Sequence, residues 1–335
     1  LMSNVTFVGN TAAAPASRGY TPASSAVKGE GGATYLSSSG TVRVEASTFA
    51  SNGAKSGGAL AAIASTTLEL RGTDVRNNSA AVNGGGVMVV LAVLTSENDV
   101  FANNSAAAGG AAFFLSSEAT LENATADGNA ALSSGGALEV SNSQLVLGRS
   151  RFTANRVPTG LGGALTLRSQ ATGSVTGTEF VGNSAANGAA LAVQDASLAA
   201  EACELIGNAA SESGGGFFGR GSLSFTLTNV TAEDNSAPDG GGAYLKESTP
   251  VLKGLTMRRN RAAVGAGLLL SGCTSAIIHT STFEANNASE SELVETTDST
   301  AAGTVEGGGV FCEDSNLVLL NITLRANEAH SKAAM

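Results

Sequence analysis

Apolar and polar residues alternate along this chain at a period of two, in runs of only a few positions, and the runs come in threes. Leu138 and Val140 are followed by Leu145 and Leu147, then by Ser150 and Phe152. Leu165 and Leu167 are followed by Val175, then by Thr178 and Phe180; Leu317 and Leu319 by Ile322 and Leu324. Alternation at period two places side chains on opposite faces of an extended backbone, so each set predicts three short strands separated by turns. No heptad or 3.6-residue spacing competes with it, which removes the helical solenoids of similar repeat length.

The sets recur on two landmarks. Asn stands at Asn10, Asn52, Asn78, Asn104, Asn129, Asn155, Asn183, Asn208, Asn235, Asn260, Asn286 and Asn327, at intervals of 25 to 28 residues apart from the first and last. Three residues before each comes a core-type residue, most often Phe, as at Phe7, Phe49, Phe101, Phe152, Phe180 and Phe283. Between successive Asn positions lies Gly-Gly followed by a small or apolar residue: Gly57-Gly58-Ala59, Gly135-Gly136-Ala137, Gly162-Gly163-Ala164 and Gly241-Gly242-Ala243.

Three strands per repeat of about 26 residues, stacked in register, predict an all-β fold: a right-handed parallel β-helix of 11–12 coils. With strands about 4.8 Å apart it forms a rod of about 50 Å. An Asn at the same turn of every coil can pair its amide with the Asn carbonyl of the next, so the twelve are assigned to a structural ladder. The Gly pair suits a corner where φ goes positive or stacked backbones approach closely.

The whole of residues 1–335 reads as one solenoid domain. Two insertions, 11–30 and 287–307, interrupt the period, both on the connection from Asn to Gly-Gly. Solenoid insertions emerge as loops on one face, so these two are candidate contact loops; the plainer reading is two tolerated solvated loops. The chain starts inside a repeat, at Leu1 to Asn10, and closes another at Leu324 to Asn327, and neither end carries an amphipathic cap. The expectation is a segment of a longer molecule, with its targeting signal elsewhere.

Composition narrows the function. Gly numbers 43, Trp is absent and aromatics make 4% of the 335 residues, which suits a thin core fed by short strands rather than one bulky core. No apolar stretch approaches the roughly 20 residues that cross a bilayer. The net charge of −10, with 18 basic residues nowhere in a dense block, argues against nucleic acid as a partner.

Candidate chemistry is sparse. Measured back from the repeat Asn, Asp74, Asp99, Asp127 and Asp234 all fall at different levels, so no paired acid/base is visible among the aspartates. His279 and His330 have no evident partner, and no catalytic or cofactor-binding residue is assigned. Acidic residues gather over 290–314, at Glu290, Glu292, Glu295, Asp298, Glu306, Glu313 and Asp314. They make a weak candidate for Ca²⁺, against the plainer reading of a solvated acidic loop without regular ligand spacing. Cys203 reads as a packing residue, and Cys273 and Cys312 are offset in their coils, which disfavours a bridge. Seven N-x-S/T sequons, at Asn4, Asn77, Asn103, Asn123, Asn229, Asn287 and Asn321, are candidate N-glycosylation acceptors; four of them share one register, six residues before the repeat Asn.

The pairing of G-G-A-[ILV] with F-x-x-N over nearly the whole chain resembles the repeats of the chlamydial polymorphic outer membrane proteins and of the bacterial and algal proteins that share them. The resemblance implies a right-handed β-helix exposed at a cell surface and associated with adhesion. The expected function is therefore an extracellular or cell-surface structural or adhesive rod without catalytic activity, whose partners are proteins or glycans at a cell surface or neighbouring subunits. Two alternatives stand beside it: a carbohydrate-active enzyme on the same scaffold, which a cleft of stacked carboxylates would reveal, and a subunit of a fibrous surface appendage.

Overall fold

A computed structural model describes residues 1–12, 29–221, 224–289 and 306–330. Each coil from residue 34 onward contributes three strands, as in Leu138–Ser141, Gln144–Gly148 and Arg151–Thr153, the leading coil has two among the described residues, Met2–Ser3 and Thr6–Val8, and all pair in parallel with their counterparts in adjacent coils. The first strands form an 11-stranded sheet, here ladder one. The second and third strands, ladders two and three, belong to one 22-stranded sheet bent along its length. The bend is a single residue in the left-handed region, such as Asn98, Asn123, Arg149 or Ala202, at φ of 45° to 57°. In two coils the strand runs through that corner, as Ala276–Glu284 and Leu317–Arg325.

A fourth, shorter pairing segment follows the repeat Asn, as in Ser105–Ala108 and Ala130–Ser134. Alternation did not reveal it because its residues are mostly Ala and Ser. Its inward positions pack as a small apolar cluster of Ala131, Val157, Ala185, Ala189, Ala210 and Ala237.

The core is a stack of like residues on like. Phe7 lies on Phe49 at 4.9 Å between ring centroids, and Phe152 on Phe180 at 5.2 Å. Where one level is small, a neighbouring column fills it. Gly219 leaves room for the ring of Phe225, and Gly173 for Leu167: a methyl on either glycine would meet those side chains at 2.5 Å. Such compensation keeps the interior close-packed while letting each coil vary.

The two glycines of each corner have separate jobs. The first carries the positive φ, at +64° in Gly57 and +59° in Gly135. The second allows adjacent coils to touch: a methyl on Gly136 would sit 2.0 Å from the Gly163 carbonyl oxygen. Both interruptions leave and rejoin at equivalent points, between Ala12 and Gly29 and between Ser289 and Glu306. Glu30 pairs with Ser56, and Glu306 with Val264, each directly before a corner glycine. The bulk of the two predicted insert loops lies outside the described residues.

Candidate binding groove

The polar interior is devoted to joining coil to coil. In the Asn column each backbone N–H and each Nδ2 donate to Oδ1 of the Asn one coil further on. For Asn78 both bonds to Asn104 are 3.0 Å. The second Nδ2 hydrogen goes to the carbonyl oxygen of the preceding coil's core residue, Phe49, at 2.9 Å. Three donors and both lone pairs of Oδ1 are thereby satisfied, and Asn52 through Asn286 in this column are no more than 1% exposed. The pattern runs from Asn10 to Asn327.

A second column, five residues before each Asn at the bend between ladders two and three, holds small hydrogen-bonding side chains at seven of its twelve levels. Val5 N–H donates to Ser47 Oγ, Thr73 N–H to Asp99 Oδ1, Ala124 N–H to Ser150 Oγ, and Leu255 N–H to Ser281 Oγ. Cys203 occupies one level, its thiol 3.3 Å from the Glu201 carbonyl oxygen. A third column lies at the corner between ladders one and two, where Ala92 N–H donates to Ser117 Oγ and Ser117 N–H to Ser143 Oγ. Only the Asn column is near-invariant in the sequence; the other two mix Ser, Thr, Asp and Cys with Ala, and the second also with Val5, Val230, Leu255 and Ile322, so neither shows a motif.

Two carboxyls are buried in this fabric. Asp99 accepts from Thr73 N–H, Glu97 N–H and Ser96 Oγ–H, yet burial outweighs these bonds and pushes it up to about 6. Glu139, fully buried on the outer side of ladder one, is ion-paired with Arg168 of the next coil. Burial pushes its carboxyl up to about 7 against the pull of Arg168 and Ser134.

On the outside, the corner between ladders one and two is a groove of about 1100 Å³ that crosses five coils. One rim is made of residues at positive φ: Ser65, Leu91, Ser116, Asn142 and Gln170. The other is the first outward position of ladder two, Thr67, Val93, Glu118, Gln144 and Thr172, consecutive partners in the parallel register. The floor is the third hydroxyl column, whose hydroxyls are already engaged. Asn142 Nδ2 donates to Ser116 Oγ at 3.0 Å, so rim side chains are themselves tied coil to coil. Among the fifteen lining residues Glu118 is the one ionisable side chain. The sequence reading missed this groove because its residues are the common small polar types and share only a register.

The sequons lie elsewhere. Asn4, Asn123, Asn229 and Asn321 occupy the bend between ladders two and three, and Asn77 and Asn103 the turn after ladder three; all six are exposed and at φ of 52° to 55°. Asn287 is half-buried at the start of a strand. The register does bring carboxylates together that a count of aspartates could not show: Glu97 faces Glu122, and Glu179 faces Glu204, on outer strand faces. Arg71, Arg149 and Arg151 ion-pair with Glu97, Glu122 and Glu179. Of the acidic region 290–314, residues 290–305 lie outside the described residues. Among the described residues no group of three His, Cys, Asp or Glu could hold a metal ion, and no helix is long and apolar enough to cross a membrane. Cys203, Cys273 and Cys312 are free thiols, and the register pairs Cys312 with Leu270, three residues from Cys273.

Comparison with known proteins adds the family. No curated protein matches the chain. Among solved structures it is similar to PfbA, a surface adhesin of Streptococcus pneumoniae, at 8% identity over 86% of this chain and 84% of that one, with a TM-score of 0.31. Residues 31–199 and 169–334 match the model of the right-handed β-helix region, and together these spans take in most of the sequence. By fold, coil length and this match, the chain belongs to the right-handed β-helix family.

Proposed function

We propose that the protein is an extracellular or cell-surface rod that makes contacts through its lateral surface without turning over what it binds. The observation that carries this reading is the groove: it crosses five coils, long enough for a polymer, and its lining offers a single carboxylate, Glu118. Hydrolysis or elimination needs a second positioned acid or base, and Glu118 has Val93 and Gln144 as its neighbours in register. The inward polar groups act as rungs between coils, which supports a structural role for the scaffold. The finer kinship, with the polymorphic outer membrane protein type of repeat, rests on the G-G-A-[ILV] and F-x-x-N landmarks and belongs to the same proposal, as does assembly with neighbouring subunits.

The six exposed sequons fit the reading as acceptors in a secretory compartment. They lie at corners other than the groove's, so glycans there would leave the groove open. No calcium or other cofactor enters the proposal. Antibodies against the rod should label intact cells of the source organism; labelling only after permeabilisation would overturn the surface assignment.

A second reading, a carbohydrate-active enzyme, is favoured by one observation, the facing carboxylates Glu97 and Glu122. It requires new reducing ends or unsaturated products when the protein is incubated with polysaccharides, and loss of those products in Glu122→Gln.

A further inference from the structure

We infer that the apolar patch centred on Val90 and Leu91 is where a second copy of this chain docks, the two rods lying antiparallel. The inference rests on the reading of the lateral surface as a contact surface and names a partner for it. Two columns meet here: the second outward position of ladder one and the left-handed turn residue that follows it. In consecutive coils the first reads Ser37, Ile63, Val90, Leu115 and Ser141. Ile63 and Val90 are half-buried against Met88 and Phe113, while Leu115 is 37% and Leu91 62% exposed. Val93, across the corner, carries the patch into the groove. In later coils the first column turns to Arg168, Gln194, Arg220 and Lys246. The second turns to Asn142, Asp195 and Glu247. Large aliphatic side chains in these two columns are thus confined to three successive coils, and a contiguous apolar patch on a soluble surface marks a contact.

Two features select a second copy, and one orientation of it. The first is self-complementarity, which a two-fold interface requires. Read from Ser37 to Ser141 the column runs serine, aliphatic, valine, aliphatic, serine. A two-fold axis crossing the rod at the level of Val90 sets Val90 on Val90, Ile63 on Leu115 and Ser37 on Ser141 of the second copy. Every aliphatic side chain then meets another, and the serines close both ends. The second feature is charge. Rods aligned in the same direction would bring Arg168, Arg220 and Lys246 each to the level of its own counterpart, and like charges so placed repel. Arg168 and Arg220 are ion-paired within their own copy, so Lys246 carries most of that repulsion. Antiparallel rods carry all three past Thr34–Ser37, the first ladder-one strand among the described residues. They also bring Glu118 to the level of Thr67, an uncharged hydroxyl. From Ser37 to Ser141 the contact spans about 19 Å. Such a contact is small, and the dimer correspondingly weak, with a dissociation constant on the order of 10 µM.

Sedimentation velocity of the purified chain from about 1 to about 200 µM tests this. We expect a monomer–dimer equilibrium that saturates at two chains. Leu91→Glu should weaken it more than tenfold, since the two carboxylates would face each other. The fold accepts that change, because Glu247 holds the same turn at a φ of 51°; the circular dichroism spectrum and urea midpoint should be retained. Val251→Glu, equally an exposed valine but on ladder two, should leave association unchanged. Cross-linking reads the orientation. In chains carrying Cys312→Ser, which removes the exposed thiol, Ile63→Cys mixed with Leu115→Cys should give a disulfide-linked pair under oxidised glutathione, and Ile63→Cys alone should not. A monomer at every concentration, open-ended polymers, indifference to Leu91→Glu, or Ile63→Cys linking to itself would each overturn the assignment. Labelling of intact cells by antibody with a monomer in solution would sink this inference alone; a dimer with labelling only after permeabilisation would sink the surface reading alone.

Discussion

Asn155 Nδ2 donates to Asn183 Oδ1 at 3.0 Å and, with its other hydrogen, to the Ala126 carbonyl oxygen at 3.0 Å, so one side chain joins three successive coils. Its own Oδ1 accepts two bonds from Asn129. Replacing Asn155 with Ala leaves the Ala126 carbonyl, the Asn129 N–H and one Asn129 amide hydrogen without partners in a site closed to water. At about 1–3 kcal/mol for each buried group left unpaired, moderated by relaxation, the loss should reach about 2–5 kcal/mol. Urea unfolding of Asn155→Ala measures it; a change within about 0.5 kcal/mol would class Asn155 with ordinary surface residues.

Glu139 makes the rod sensitive to alkali rather than acid. Its carboxyl stands at about 7 in the fold against an ordinary 4.5, so folding favours the protonated form. The stabilisation is complete below the ordinary value and is lost as pH rises through about 7, a difference of about 3 kcal/mol for a buried group. Asp99, raised from 3.8 to about 6, acts with the same sign. The urea midpoint should therefore fall from about pH 5 to about pH 8, and Glu139→Gln should flatten that fall. An unchanged pH slope in Glu139→Gln would remove Glu139 as its origin.

The corner glycines predict unequal costs for one substitution. Gly182 has a φ of +62° and nothing within 4 Å of where a methyl would go, and other coils place Asn77, Asn103 and Ala154 at that turn. Gly182→Ala should cost about 1 kcal/mol, and Gly182→Asn less. In Gly136→Ala the methyl meets backbone atoms of two other segments, Gly163 O at 2.0 Å and Arg156 N at 2.7 Å. Coils would have to separate, so its urea midpoint should drop well beyond that of Gly182→Ala; equal midpoints would show that the corner has room.

Charges alternate along the outer face of ladder three near the C-terminal coils: Glu233, Arg258, Glu284 and Arg325 are consecutive partners in register. Arg258 is ion-paired with Glu233, and Arg325 with Glu284. Arg258→Glu would stack three carboxylates in a row and should cost about 1 kcal/mol at low salt, less at high salt as screening grows. A salt-independent loss would point to packing of the Arg258 stem instead.

Much of this architecture is legible in the chain because a solenoid repeats its instructions. The Asn positions, the alternation around Leu138 and Phe152 and the glycine pairs define coil length, strand count and corners before any contact is known, since each is a local backbone or side-chain preference copied about every 26 residues. What the sequence left open depends on which residues of different coils meet. Strand register sets Glu97 opposite Glu122, each seven residues before its repeat Asn, and Arg258 between two glutamates, all three two residues before theirs; equal spacing becomes contact only because the coils stack in register. The groove is a property of stacking alone. Ser116, Asn142 and Gln170 are unremarkable turn residues until the coils align them into one rim, and Glu139 acquires its raised pKa because burial outweighs the pull of Arg168 and Ser134. Local periodicity determines the coil; the translation that superimposes coils decides what their outer surface can bind.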